Sequence, residues 1–163
     1  PGAPLFVLVP RHPQRFESLR HLIEDAGLSY ARRSLGDPEP DAAIAVLLGD
    51  SMGEMAFYYG MADVAIVAGS FAPLGGQNLI EACVAAVPVI VGPHTFNFKQ
   101  ATEDAIMAGA ATRVVDAEQA IKAALRLLAD EPTRQAMGAA GRAWTSAHAG
   151  ATARTLQALS AWF

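Results

Sequence analysis

Leu5-Phe6-Val7-Leu8-Val9-Pro10-Arg11-His12-Pro13 opens with five apolar residues in a row, partly β-branched, halted by proline. That pattern predicts a strand buried on both faces of a parallel sheet. Phe16, Leu19, Ile23 and Ala26 then recur at helical spacing among Arg15, Glu17, Arg20, Glu24 and Asp25, which predicts a helix over 14–26 stopped by Gly27. A strand followed by a helix is the first half of a parallel crossover, and the alternation continues. Short apolar runs predict strands at 29–33, 43–48, 64–67, 87–91 and 111–115, with helices at 53–61, 78–86 and 98–108 between them. Three Ala-rich helices follow at 117–129, 132–147 and 149–162, Pro132 being suited to a first turn. The segment Gly36-Asp37-Pro38-Glu39-Pro40 reads as a loop. Right-handed crossovers then give an α/β fold: a Rossmann-like, doubly wound parallel sheet of about six strands with helices on both faces. Ligands of such folds meet the carboxyl ends of the strands.

The composition fits this reading. A chain of 163 residues and 17.1 kDa is expected to form a single domain spanning 1–163. With 52% hydrophobic and 17% charged residues and a mean hydropathy of +0.25, it has ample apolar surface to offset its ordering entropy. The longest apolar run, 84–91, has 8 residues and contains Pro88, whereas a bilayer span needs about 20. The chain is therefore expected to be soluble. Cys83, the single cysteine, forms neither an internal disulfide nor a cysteine cluster; a buried, inert thiol is the expectation. The opening Pro1-Gly2-Ala3-Pro4 lacks an initiator Met and a basic, apolar leader, so the chain is expected to be a piece of a longer protein. Net charge is -4, yet the first 33 residues hold five of the 12 bases and three of the 16 acids. Any anionic ligand would thus be met locally, although a solvated helix face explains Arg15 and Arg20 without one. Two lysines and no basic stripe among aromatics argue against nucleic acid as a partner.

Common nucleotide signatures are missing: no G-x-G-x-x-G follows the first strand, and no G-x-x-x-x-G-K occurs. Gly49-Asp50-Ser51-Met52-Gly53 satisfies the G-x-S-x-G pattern of a hydrolase elbow. A serine hydrolase would use Ser51, with His94 or His148 as base and Asp63, Asp104 or Asp116 behind it, but no His-Gly-Gly-Gly loop precedes the serine. The strongest local feature is Leu74-Gly75-Gly76-Gln77-Asn78-Leu79-Ile80-Glu81. Tandem glycines let backbone approach a ligand, and a helix starting at Asn78 would turn its free N–H groups on a nucleotide phosphate. Glu81, one turn in, suits the two ribose hydroxyls. Asn78 and Glu81 also have capping-box spacing, which needs no ligand.

Together with Gly69-Ser70 and Gly92-Pro93-His94-Thr95-Phe96-Asn97-Phe98, and with Val9-Pro10-Arg11-His12-Pro13 before Arg15-Phe16, these motifs closely resemble the carboxy-terminal half of the 3-deoxy-manno-octulosonic acid (Kdo) transferases. The resemblance runs in order from about Leu5 to the end. It implies a GT-B glycosyltransferase, in which two Rossmann-like domains face across a cleft and the carboxy-terminal one holds the donor; the amino-terminal acceptor domain would be the chain's own partner and is absent. The donor would be CMP-Kdo, transferred with inversion and without a metal or other cofactor to a phosphorylated lipid A precursor at the cytoplasmic face of the bacterial inner membrane. By the same resemblance Gly75, Gly76, Asn78 and Glu81 would hold phosphate and ribose, Arg11 and His12 would meet phosphate or cytosine, and Met52 and Gly53 would line the base. Gln77 stands where many relatives have His, and an amide donates a hydrogen bond but carries no charge or proton near neutral pH. The general base belongs to the absent domain, so no catalytic residue is expected here, and the chain is expected to bind CMP without turnover. Trp144, Trp162 and Phe163 would dock on that domain unless they serve this chain's own core. The alternatives are a GT-B transferase or epimerase using a UDP-sugar, the serine hydrolase, and a non-catalytic nucleotide-sensing module.

Overall fold

The computed structural model describes residues 2–36, 44–148 and 156–160. The start of the strand expected at 43, most of the 36–40 loop and most of the helix expected at 149–162, with Trp162 and Phe163, lie outside them. The chain divides between Tyr58 and Tyr59 into two compact units.

In the first unit, β1 (Phe6–Leu8), β2 (Tyr30–Arg32) and β3 (Val46–Leu48) form a parallel sheet in the order β1-β3-β2, with Leu8 and Arg32 both level with Leu48. The central strand has Val46 and Leu48 at 2% and 0% exposure, and Ile23 of α1 (Phe16–Asp25) packs on them with Leu8, Leu19 and Tyr30. β1 is an edge strand whose Phe6 is 40% exposed, so the expectation of a strand covered on both faces is corrected. Its apolar run is as long as a central strand's, and apolar content does not record which strand has two neighbours. Gly27 ends α1 in the left-handed region at φ +66, where its own N–H and that of Leu28 bond the carbonyls of Glu24 and Ile23. Arg20 lies on the solvent face of α1 between Glu17 (2.8 Å) and Glu24 (2.6 Å), as a charged helix face would.

In the second unit, β4 (Ala65–Val67), β5 (Val89–Val91) and β6 (Ala111–Arg113) pair in that order, all parallel, with Val67, Val91 and Arg113 level. The six strands among the described residues are those expected, and they hydrogen-bond as two parallel ladders of three. Val89, Ile90 and Val91 are at most 1% exposed, each worth about 1.5–3 kcal/mol of burial. After α2 (Met55–Met61) come α3 (Ile80–Val84), α4 (Lys99–Met107), α5 (Ala117–Ala129) and α6 (Glu131–His148), which flank this sheet. Asp116 caps α5 by accepting the Gln119 N–H at 2.7 Å, and Asp130 accepts both the N–H and the hydroxyl of Thr133 in the first turn of α6. α6 meets α3 across small residues: a Cβ on Gly138 would strike the Ala86 carbonyl, and one on Gly141 would lie 3.3 Å from Cys83 Cα. Cys83 is fully buried there and burial pushes its thiol up to about 11, so it is a packing residue. Trp144 packs on the same core.

Candidate functional site

In the first unit, parallel pairing of β1 with β3 sends the 9–13 loop and the 49–54 loop out of the same edge, the Gly49 N–H donating to Leu8 O at 2.8 Å. Arg11, His12, Met52 and Gly53 are all exposed there, Met52 at 62%. Gly53 takes φ +80, and Met52 is no core residue. Beneath them lies a charge network that the sequence reading missed. Asp50, with its side chain fully buried, accepts from Ser34 N–H (2.8 Å), Ser34 Oγ (2.5 Å) and Arg32 Nε (2.7 Å). Burial drives its carboxyl upward, but the Ser34 hydroxyl and amide and the Arg32 guanidinium outweigh that and hold it below the usual carboxylate range. Ser51 donates to Glu54 and lies 3.0 Å from Tyr58 Oη, while Arg33 Nη2 donates to Glu54 at 2.8 Å and stacks 5.0 Å over Phe57. The Ser51 hydroxyl is therefore engaged within its own loop. Its backbone does not take the left-handed conformation, which among the described non-glycine residues only Ala86 adopts, so the strained elbow of a hydrolase is not formed.

In the second unit, the loops after β4 and β5 are tied together by hydrogen bonds to backbone groups. Buried Ser70 donates to Val67 O (2.5 Å) and accepts the Gly92 N–H (2.6 Å), while Ser70 O accepts the His94 N–H (2.9 Å). Asn97 donates its N–H to Gly75 O and its Nδ2 to Leu74 O, both at 3.1 Å. Gly75 and Gly76 are buried in this crossing at φ +87 and +75. A Cβ on Gly75 would overlap the Asn97 and Phe96 side chains, and one on Gly76 would lie 3.2 Å from His94 O. Glycine is required twice over, for its conformation and for the space. Gln77 lies alongside Gly69.

Two details of the sequence reading are corrected. The helix begins at Ile80, not Asn78, and has five residues, so its dipole is slight. The capping box is not closed as drawn: Asn78 Oδ1 accepts the Ile80 N–H at 3.0 Å, but Glu81 takes Asn78 Nδ2 at 3.1 Å rather than a backbone N–H. Asn78 forms its own turn by accepting the Ile80 N–H, and the helix starts only after Leu79, a choice that helical periodicity does not encode. Ser70 and Asn97, which brace the loop, lay within quoted motifs but carried no role; a buried serine between two strands is visible only once the strands are paired.

Among the described residues no group of three His, Cys, Asp or Glu is placed to hold a metal ion, and no helix is long and apolar enough to cross a membrane.

Residues 34–144 match the family described as glycosyl transferases group 1. The 3-deoxy-D-manno-octulosonic acid transferase of Bordetella pertussis is 65% identical over 98% of this chain, and that of Haemophilus influenzae 36% identical over 95%. The chain spans 37% and 36% of the length of those relatives. The crystal structure of the C-terminal CMP-Kdo binding domain of WaaA from Acinetobacter baumannii superposes with a TM-score of 0.82 at 34% identity, over 86% of this chain and 72% of that one. With this family match, these identities and this superposition, the chain belongs to the group 1 glycosyl transferases, on the branch of the 3-deoxy-D-manno-octulosonic acid transferases.

Proposed function

We propose that the chain binds the nucleotide of CMP-Kdo and forms the donor-binding part of an inverting, metal-independent Kdo transferase. Its acceptor would be a phosphorylated lipid A precursor, met at the cytoplasmic face of the bacterial inner membrane. The observation that carries this reading is the buried Gly75–Gly76 pair, braced by Ser70 and Asn97, with Asn78 and Glu81 directly beyond it. The description of the Acinetobacter domain as CMP-Kdo binding supports the choice of donor.

In this reading the amides of Gly75 and Gly76, turned by their left-handed backbone, reach the phosphate, and Gln77 adds a neutral donor. Asn78 keeps its Oδ1 on Ile80, while Glu81 exchanges the Asn78 amide for the ribose hydroxyls. Arg11, His12, Met52 and Gly53, at the carboxyl edge of the first unit's sheet, are that unit's proposed nucleotide contacts. During transfer the acceptor oxygen bonds the anomeric carbon, the bond to the phosphate oxygen breaks with its electron pair going to CMP, and the acceptor proton passes to a base outside this chain. Fixed backbone dipoles then meet the charge developing on CMP. The 163 residues alone are expected to bind without turnover.

Calorimetric titration with CMP, UMP, UDP and cytidine tests this. CMP should bind, at micromolar strength at best, and cytidine should bind more weakly. Preference for UDP would favour the UDP-sugar reading, and equal affinity for CMP and cytidine would remove phosphate from the glycine loop.

A further inference from the structure

The loop after β5 has a second side that nucleotide binding leaves unused. His94, Thr95 and Phe96, with Lys99 and Glu103 of α4 and Arg113 of β6, line an open recess of about 300 Å³. Its floor is ordered by hydrogen bonds: Arg113 Nη2 donates to the Oγ1 of buried Thr95 at 3.1 Å and to Glu103 Oε1 at 2.9 Å. One nitrogen of the fork makes both bonds, and Arg113 Nε and Nη1 have no partner among the described residues. Lys99 is exposed at the rim, also with no hydrogen-bond or ion-pair partner among the described residues. Two cations therefore face one carboxylate. Phe96, one of the residues lining the recess, would also be struck by a Cβ on Gly75, so the recess adjoins the proposed phosphate site.

We infer that this recess holds the carboxylate of the transferred sugar acid, with Lys99 as the direct contact and Arg113, oriented by Glu103 and Thr95, as the second. The inference rests on the donor reading above. An octulosonic acid carries its charge on the sugar, and a neutral hexose would give these cations nothing to meet. A carboxylate matches the planar guanidinium fork and the ammonium of Lys99. The nucleotide phosphate presents the same anionic oxygens, and the test separates the two.

Titrations of the chain and of Lys99→Ala with CMP and with freshly made CMP-Kdo provide that test. The unsubstituted chain should bind CMP-Kdo about tenfold more tightly than CMP, the scale of one charge-assisted contact. Lys99→Ala should abolish most of that preference and leave CMP affinity within about twofold. Arg113→Lys, which keeps the charge and loses the fork, should lower the preference in part. Equal losses for CMP and CMP-Kdo would place Lys99 on the phosphate and overturn the inference, as would an unchanged preference in Lys99→Ala. If the unsubstituted chain binds CMP but does not prefer CMP-Kdo, this inference fails alone; if it binds neither, the donor reading fails with it.

Discussion

The loops after β3 and β4 both leave a buried strand and pass through glycine toward a helix, yet they are closed in opposite ways. In the 49–54 loop, side chains satisfy one another: Asp50 holds Arg32 and Ser34, and Glu54 holds Ser51 and Arg33. In the 69–77 loop, Ser70 and Asn97 hold backbone groups through both their side chains and their own backbone, and the positions at the turn carry no side chain at all. The difference teaches that a polar residue in a motif is no guide to chemistry until its partners are known. Ser51 resembled a nucleophile and is a strut, whereas Gly75 and Gly76, chemically blank, sit where the packing leaves no room for a side chain.

The contrast is broken most severely by Gly75→Ala. With φ at +87 and a clash against Asn97 and Phe96, this change should cost roughly 3 kcal/mol in urea unfolding and abolish CMP binding. A variant with normal stability and affinity would show the loop to be more pliant than its geometry implies. Next comes Asp50→Asn, which leaves Arg32 Nε facing a neutral group while its Nη2 keeps Glu17 at 2.9 Å, and should cost about 2 kcal/mol at pH 7. Because the folded carboxyl lies below its unfolded value of about 3.9, its contribution is complete above that pH and fades as pH falls through the folded value. Unfolding at pH 7 and pH 3.5 should therefore show the gap between the two proteins narrowing with acid; a constant gap would assign the cost to shape rather than charge.

Glu81→Gln sharpens the other side of the comparison. It should weaken CMP about tenfold, yet change stability by only a few tenths of a kcal/mol, the worth of an exposed i,i+3 side-chain bond. A lower melting temperature with unchanged affinity would return Glu81 to a capping role. The smallest effect belongs to Ala86→Gly: Ala86 sits at φ +59, and relieving it should stabilise the protein by about 0.5 kcal/mol after the added freedom of the unfolded glycine is subtracted. Thermal unfolding of the two proteins side by side would check this.

Much of this molecule is legible in one dimension. Continuous apolar runs such as 87–91, helical spacing such as Phe16-Leu19-Ile23 and stops such as Gly27 are local, so all six strands and the helices through α6 follow from them to within a few residues. The tandem glycine is equally plain, because only glycine is at ease where φ is positive. Tertiary structure alone decided that β1 is an edge, that the strands pair as two ladders, that Asp50 rather than Ser51 anchors its loop, and that Lys99 and Arg113 share a recess. The reason is one of distance. Periodicity reports neighbours three or four residues apart, whereas Arg32 meets Asp50 across 18 residues and Thr95 meets Arg113 across 18 more, and such meetings exist only after the strands have been laid side by side.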